Sequence, residues 1–321
     1  MLTEIVNEMK KGTSQQLDSN ILINMYSNTG NPFSSAILNA SGKQLRDKTY
    51  AGDIAFFNEQ LGKIASVSSA YTRTINTFGE AGVAISSTDA TKKYLLDAHG
   101  VEYAQVIQKG LMGAIFYYRI AEEYTTKSKL DFANNDSIIS GQGTDMQHYW
   151  DEAYGYVGIP TVLSSSNYDS VKTAGLLTFY GVYMDKGKNI GVPSALLTAF
   201  IKGRDAINRR DYAIRDDAAT AIRKNMELIN VCSAISYLNQ GQTTYTDYAV
   251  RCHALSEAFG FILSLKYNSG KKISNADYTS IIDKFYNEGI LSIAHLTTTD
   301  ITWLRDTLSD IYGLQAVKTT L

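Results

Sequence analysis

Residues 101–126 read VEYAQVIQKGLMGAIFYYRIAEEYTT. Tyr103, Val106, Ile107, Leu111, Ala114, Ile115 and Tyr118 recur at steps of three and four, the repeat that lines one stripe of an α-helix. The stretch therefore predicts a core helix. Gly110 and Gly113 interrupt it, each costing about 1 kcal/mol relative to Ala. That cost makes sense where another helix approaches closely.

Working outward, the same periodicity predicts helices over about 54–77, 145–158, 170–185, 194–211, 214–239, 246–267, 274–287 and 298–312. The N-terminal Met1-Leu2-Thr3-Glu4-Ile5-Val6 also reads as amphipathic helix. Asn31-Pro32, Gly158-Ile159-Pro160 and Gly191-Val192-Pro193 are breaks, and Gly79-Glu80-Ala81-Gly82 and Ser164-Ser165-Ser166-Asn167 are loops. Thr299-Asp300 precedes an apolar run, and Ser274 is followed three residues later by Asp277 in the manner of a capping box. Sustained period-two alternation is absent, so the fold class read from the sequence is all-α.

The chain has 321 residues, 30 Lys plus Arg against 32 Asp plus Glu, and a net charge of −2. That length exceeds the roughly 250–300 residues over which one core keeps growing, so one elongated or two compact cores are expected. The near-neutral balance supplies no long-range attraction for phosphate, which argues against a dedicated binder of nucleic acid or anionic membrane. Three prolines are too few for a loop-rich sandwich or barrel, and no run of about 18 apolar residues is present to span a bilayer. The first residues lack the cationic start and apolar stretch of a signal peptide, and a leader already removed would leave the same picture. For Cys232 and Cys252, two buried free thiols are favoured over a disulfide.

A pattern recurs inside the chain. His148-Tyr149-Trp150-Asp151-Glu152-Ala153-Tyr154-Gly155-Tyr156 returns as His253-Ala254-Leu255-Ser256-Glu257-Ala258-Phe259-Gly260-Phe261, that is, His-x-x-x-Glu-Ala-aromatic-Gly-aromatic. Upstream of each lies a second echo, Lys109-Gly110 followed by Ala114-Ile115, and Lys202-Gly203 followed by Ala206-Ile207. Both echoes in one order suggest duplication of a helical-bundle unit. The expected domains are an N-terminal bundle over 1–160 and a C-terminal bundle over 161–321, packed as one compact unit.

Residues four apart share a helix face, so His148 lies over Glu152 and His253 over Glu257. Each pair is a two-ligand half-site. Facing one another across a pseudo-twofold axis, they would form a His2Glu2 cluster of the kind helical bundles use for iron or zinc, with Asp145 and Asp151 as auxiliaries. The plainer reading is that each His and Glu orient one another and the Gly and aromatics pack. No His-Glu-x-x-His, Gly-x-Ser-x-Gly or phosphate-binding glycine loop is present, and His99 and His295 stand alone. A hydrolase would have to assemble its site from dispersed residues. The 22 Tyr, grouped at Tyr117-Tyr118, Tyr149-Trp150, Tyr154-Gly155-Tyr156 and Tyr180-Gly181-Val182-Tyr183, suit ligand grooves and interfaces as well as half-exposed helix faces. The charged helix Lys202–Lys224 reads as a solvated face.

With Met146-Gln147-His148-Tyr149-Trp150-Asp151-Glu152-Ala153-Tyr154-Gly155-Tyr156 in hand, the sequence resembles an uncharacterised family of exported bacterial lipoproteins, a domain of unknown function found beside imelysin-like proteins and outer-membrane receptors. The likeness extends over about 1–290 and also covers Glu102-Tyr103-Ala104-Gln105 through Lys109-Gly110-Leu111-Met112-Gly113-Ala114, and Phe200-Ile201-Lys202-Gly203-Arg204. It implies a periplasmic or surface-attached protein, with leader and lipidated cysteine trimmed away and only a lipid anchor for membrane attachment. It also implies a part in iron or haem acquisition, and a partner among outer-membrane receptors or imelysin-like proteins. Imelysin-like proteins are helical with two bundles and carry Gly-x-His-x-x-Glu; here Met146 takes the Gly position, and Asp151 stands three after His148 with Glu152 one later. The resulting expectation is a non-catalytic accessory protein with a site for iron or zinc at His148, Glu152, His253, Glu257, Asp145 and Asp151. Its alternatives are a protein- or ligand-interaction module without metal, or an imelysin-like peptidase or hydrolase.

Overall fold

Amphipathic periodicity becomes helix along most of the chain. The computed structural model describes residues 1–164 and 166–321; Ser165, in the run expected to be a loop, lies outside the described residues. In order come α1 (Leu2–Lys10), α2 (Ser19–Ser27), α3 (Ala36–Asn39), α4 (Leu45–Lys48) and α5 (Ile54–Val67). A small sheet follows, β1 (Thr74–Ile75), β2 (Gly82–Ile85) and β3 (Lys93–Leu96), with β2 parallel to β1 and antiparallel to β3. Next is α6 (Tyr103–Leu111), whose backbone runs on in two π-helical stretches, Met112–Tyr117 and Arg119–Tyr124. Then come α7 (Lys127–Leu130), α8 (Asp145–Val157), α9 (Tyr168–Thr173), α10 (Tyr180–Tyr183), α11 (Val192–Arg209), α12 (Tyr212–Thr243), α13 (Tyr248–Ser264) and α14 (Asn275–Asp283). The hairpin β4 (Tyr286–Asn287) and β5 (Ile290–Leu291) precedes α15 (Thr298–Tyr312).

Local chemistry sets the boundaries. Thr144 and Gln147 form a reciprocal capping box at the start of α8, and Gly158, left-handed at φ 81°, ends it. Ser274 accepts from the Asp277 N–H at 3.0 Å, as the spacing predicts. Three expected helices end early. The one expected over 54–77 stops because the Ser68 hydroxyl takes the Ala65 carbonyl at 2.6 Å and accepts from the Leu17 N–H at 2.7 Å, diverting the chain toward β1. The one expected over 170–185 is split into α9 and α10 by Gly175 at φ 69° and Phe179 at φ 46°. The one over 274–287 yields to a hairpin whose Glu288 and Gly289, at φ 51° and 80°, make the two-residue turn that matches strand twist. Cys232 and Cys252 are free and buried.

The molecule is mostly helical and divides into two compact units that are not sequential halves. The first comprises 1–115, 234–264 and 273–320; the second comprises 116–233, 265–272 and residue 321. Residue 160 therefore falls inside the second unit, and the expected boundary at 160/161 is not where the chain divides.

In the first unit, α6 packs on α13 at a spacing that only glycine permits. A Cβ on Gly260 would lie 2.5 Å from the Lys109 Cβ, and one on Gly113 would overlap the Ser264 side chain. Gly110 is covered by the Phe57 ring of α5. The expectation of a close helix at Gly110 and Gly113 is met, by α5 at Gly110 and by the helix of the second motif at Gly113. In the second unit, α8 packs on α11: the Trp150 indole N–H donates to the Phe200 carbonyl at 2.9 Å and its ring lies against Gly203. Each unit thus joins one His-x-x-x-Glu helix to one Lys-Gly helix, but crosswise, the first motif with the second echo and the second motif with the first. Among the described residues, no helix is long and apolar enough to cross a membrane.

The two motif glycines have unlike surroundings. A Cβ on Gly155 meets nothing within 4 Å. Gly260→Ala is expected to lower stability by about 1–3 kcal/mol through overpacking, whereas Gly155→Ala is expected to raise it by about 0.5–1 kcal/mol through the unfolded chain. Urea denaturation of the two variants checks the pair; equal shifts would contradict the close approach.

Candidate functional site

Helix α8 turns its first-motif side chains to two sides. Toward α11, Trp150, Tyr154, Leu163, Leu197, Phe200 and Ile201 line a groove of about 360 Å³. The Phe200 ring meets Trp150 and Tyr154 edge-on at 6.1 and 5.3 Å, and the Tyr154 hydroxyl donates to the Pro160 carbonyl at 2.9 Å. Ile201 is 62% exposed, leaving the groove open along that edge. Its rim is polar: Arg204 Nε donates to Asp151 Oδ1 at 2.9 Å and Nη1 to Asn208 Oδ1 at 2.6 Å, while Gln147 Nε2 donates to Asn208 Oδ1 at 2.8 Å. A volume in the range of small-ligand pockets, apolar walls and a few fixed polar groups are what a binding groove requires.

The other side of α8 faces the second π-helical stretch, an arrangement concentrated at functional sites. Tyr124 stacks on Tyr156 at 5.8 Å and meets Tyr149 at 6.1 Å, Phe116 lies 5.7 Å from Tyr156, and Phe179 lies 4.5 Å from Phe116. Lys129 caps the row, its ammonium 4.0 Å from the centre of the Tyr149 ring. Burial pushes the Tyr124 and Tyr156 hydroxyls up, and the Glu152 charge adds to it.

The first expected half-site lies on this helix. His148 Nε2 is 3.9 Å from Glu152 Oε1, both side chains being 37% exposed. Asp145 occupies the first turn of α8, where a negative charge suits the helix dipole. Asp151 is taken by Arg204.

The second lies in the first unit and is buried in a different network. Glu257 Oε1 accepts from Lys109 Nζ at 3.0 Å, the two side chains 6% and 3% exposed. His253 Nδ1 meets Glu102 Oε2 at 2.6 Å, and the Tyr94 ring of β3 stacks on the imidazole at 4.2 Å. The Glu102 N–H donates to Ser256 Oγ at 3.0 Å, fixing the start of α6 against α13. Burial alone would lower the His253 pKa, but the Glu102 charge and hydrogen bond, with Glu257 beyond, outweigh burial and Lys109 and raise it. Burial and the charges of Glu102 and Glu257 push the Tyr94 phenol up to about 12.

The two half-sites belong to different units, and among the described residues no three His, Cys, Asp or Glu side chains gather where a metal ion could sit. Periodicity marked His253 and Glu257 but missed Glu102, Lys109 and Tyr94. The available signal was Glu102 and Lys109 standing two helical turns apart beside an apolar stripe. Arg204 belongs to the stretch expected to be a solvated face; its place at the groove comes from Asp151 of α8.

A family model described as a domain of unknown function, DUF4856, matches residues 1–315. No curated protein and no solved structure matches the chain. The expectation of a domain of unknown function is met at that level, and the match carries no link to imelysin-like proteins.

Two outcomes are expected of the charged pairs. Lys109→Met leaves Glu257 buried and uncompensated, a loss of about 3–5 kcal/mol, whereas His148→Ala and Glu152→Ala stay within about 0.5 kcal/mol of the parent. Thermal and urea denaturation read both. Protonated His253 stabilises the fold fully below the unfolded value of about pH 6.5, and that contribution is lost as pH rises through the raised folded value. An NMR titration should find the His253 imidazole titrating above an ordinary histidine, and Glu102→Gln should bring it below one; an unmoved titration would contradict the pairing.

Proposed function

We propose, the chain belonging to the DUF4856 family of domains of unknown function, that it is a non-catalytic interaction module whose binding site is the groove between α8 and α11. The observation that carries this reading is the groove itself: aromatic and aliphatic walls of one ligand-sized cavity, closed on one side by a fixed Arg204–Asp151 rim. The first motif supplies its floor through Trp150 and Tyr154. The half-exposed tyrosine row on the opposite side of α8 adds interface-suited surface.

The reading includes no bound metal: Glu257 and His253 are committed to Lys109 and Glu102, and His148 with Glu152 makes only a two-ligand pair in the other unit. Any part in iron or haem acquisition would be played through a partner. Export to the periplasm or cell surface, and an outer-membrane receptor or imelysin-like partner, belong to the same proposal and are supported by the resemblance of residues 102–114, 146–156 and 200–204. The recurrence of the motif is taken as duplication of one helix pair, with the helices now paired crosswise and their polar residues in unlike roles.

An NMR screen of small apolar fragments should shift the backbone signals of Tyr154, Ile201 and Arg204, and Ile201→Asp should abolish those shifts. Elemental analysis of protein purified without chelator should find substoichiometric iron and zinc. Stoichiometric metal lost on His253→Ala, or fragments that bind elsewhere only, would overturn the reading.

A further inference from the structure

We infer that the groove between α8 and α11 selects an apolar carboxylate: a ligand whose bulky apolar body fills the cavity and whose carboxylate is held by Arg204. The inference rests on the groove being the binding site and names the chemical class it takes.

The argument starts from the guanidinium. Arginine has five N–H donors in one plane. At Arg204, Nε donates to Asp151 Oδ1 at 2.9 Å, Nη2 to Asp151 Oδ2 at 3.4 Å and Nη1 to Asn208 Oδ1 at 2.6 Å. One N–H on each Nη therefore has no acceptor among the described residues. The donor left on Nη2 lies on the outer edge of the guanidinium, the edge by which this fork meets a second carboxylate.

This fork is held in place before a ligand arrives. Asp151 binds one edge of it, Asn208 takes a third donor, and Gln147 Nε2 donates to the same Asn208 oxygen at 2.8 Å. Gln147 is in turn fixed by the capping box of α8. Ordering an arginine side chain normally costs entropy on binding; here the network of the free protein has already met that cost.

The free N–H donors of Arg204, and not the net charge of a rim that also carries Asp151 and Asp205, select an acid over a base. Asp205 is committed to Arg209, Nε to Oδ2 at 2.9 Å, and Asp151 to Arg204, so neither carboxylate is left to attract a cation. The walls contribute apolar contact from Leu163, Leu197, Phe200 and Ile201, which fixes the body of the ligand but not its end group. The carboxylate can come from the C-terminus of a peptide ending in a large apolar residue or from a lipid-derived acid, since both present the same two oxygens on an apolar body.

Isothermal titration of the full chain with N-acetyl-L-phenylalanine, its uncharged amide and octanoate tests the inference. The acid is expected to bind about tenfold more tightly than the amide, the worth of one charge-assisted pair. Arg204→Gln should abolish the preference for the acid over the amide. Stronger binding of octanoate than of the phenylalanine acid assigns the ligand to the lipid-derived source; the reverse assigns it to a peptide terminus. Equal affinity of acid and amide, or an acid unaffected by Arg204→Gln, overturns the carboxylate inference and leaves the groove reading standing. No binding by any of the three, with no fragment shifts at Tyr154 and Ile201, overturns both.

Discussion

Everything in the first unit turns on how closely α6 approaches α13. Gly260 lets the helices meet over Lys109, and Gly113 does the same over Ser264. At that distance the side chains flanking the contact are largely shut off from water, and Lys109 pairs with Glu257 and His253 with Glu102. Charges removed from water are tolerated only when paired. The ion pairs are therefore a consequence of the close packing, and they bind α6 to α13 in one register.

The second unit solves the same packing problem with different residues. Here the small residue is Gly203 on α11, and the group lying on it is the Trp150 ring, satisfied by the Phe200 carbonyl. The first motif thus spends its large aromatic on the helix contact and leaves His148 and Glu152 half exposed. The second motif spends its glycine on the contact and buries its carboxylate. One sequence pattern has two physical outcomes because the neighbour, not the pattern, decides which position faces inward.

That difference explains where binding chemistry can sit. A buried network of paired charges, as around His253, specifies register and has little left to offer a ligand. The α8–α11 pair keeps an open edge at Ile201 and a guanidinium held by Asp151 and Asn208, so apolar surface and directed hydrogen-bond donors meet at one accessible place. The π-helical backbone opposite places Tyr124 against Tyr149 and Tyr156, extending the interface-suited surface of the same helix.

Local periodicity by itself determined the helical class, the positions of α8, α11, α13 and α15 to within a few residues, and a close contact at Gly110 and Gly113. It did so because burial of one stripe and the cost of a helical glycine are written at spacings of three and four. It also marked the recurring motif. Only the tertiary structure decided that the motif helices pair crosswise with the Lys-Gly helices, that Glu102 and Lys109 complete the network of His253 and Glu257, and that Arg204 stands fixed at a groove. Those facts depend on residues far apart in the chain meeting through two helix contacts, and an i, i+4 spacing says which side chains share a face without saying what that face meets. The short strands escaped for a related reason: two to four residues are too few to show an alternation, and the end of β2 is tied to the start of α13 by Asp247, which accepts from Ser86 and Ser87 across 161 and 160 positions of chain.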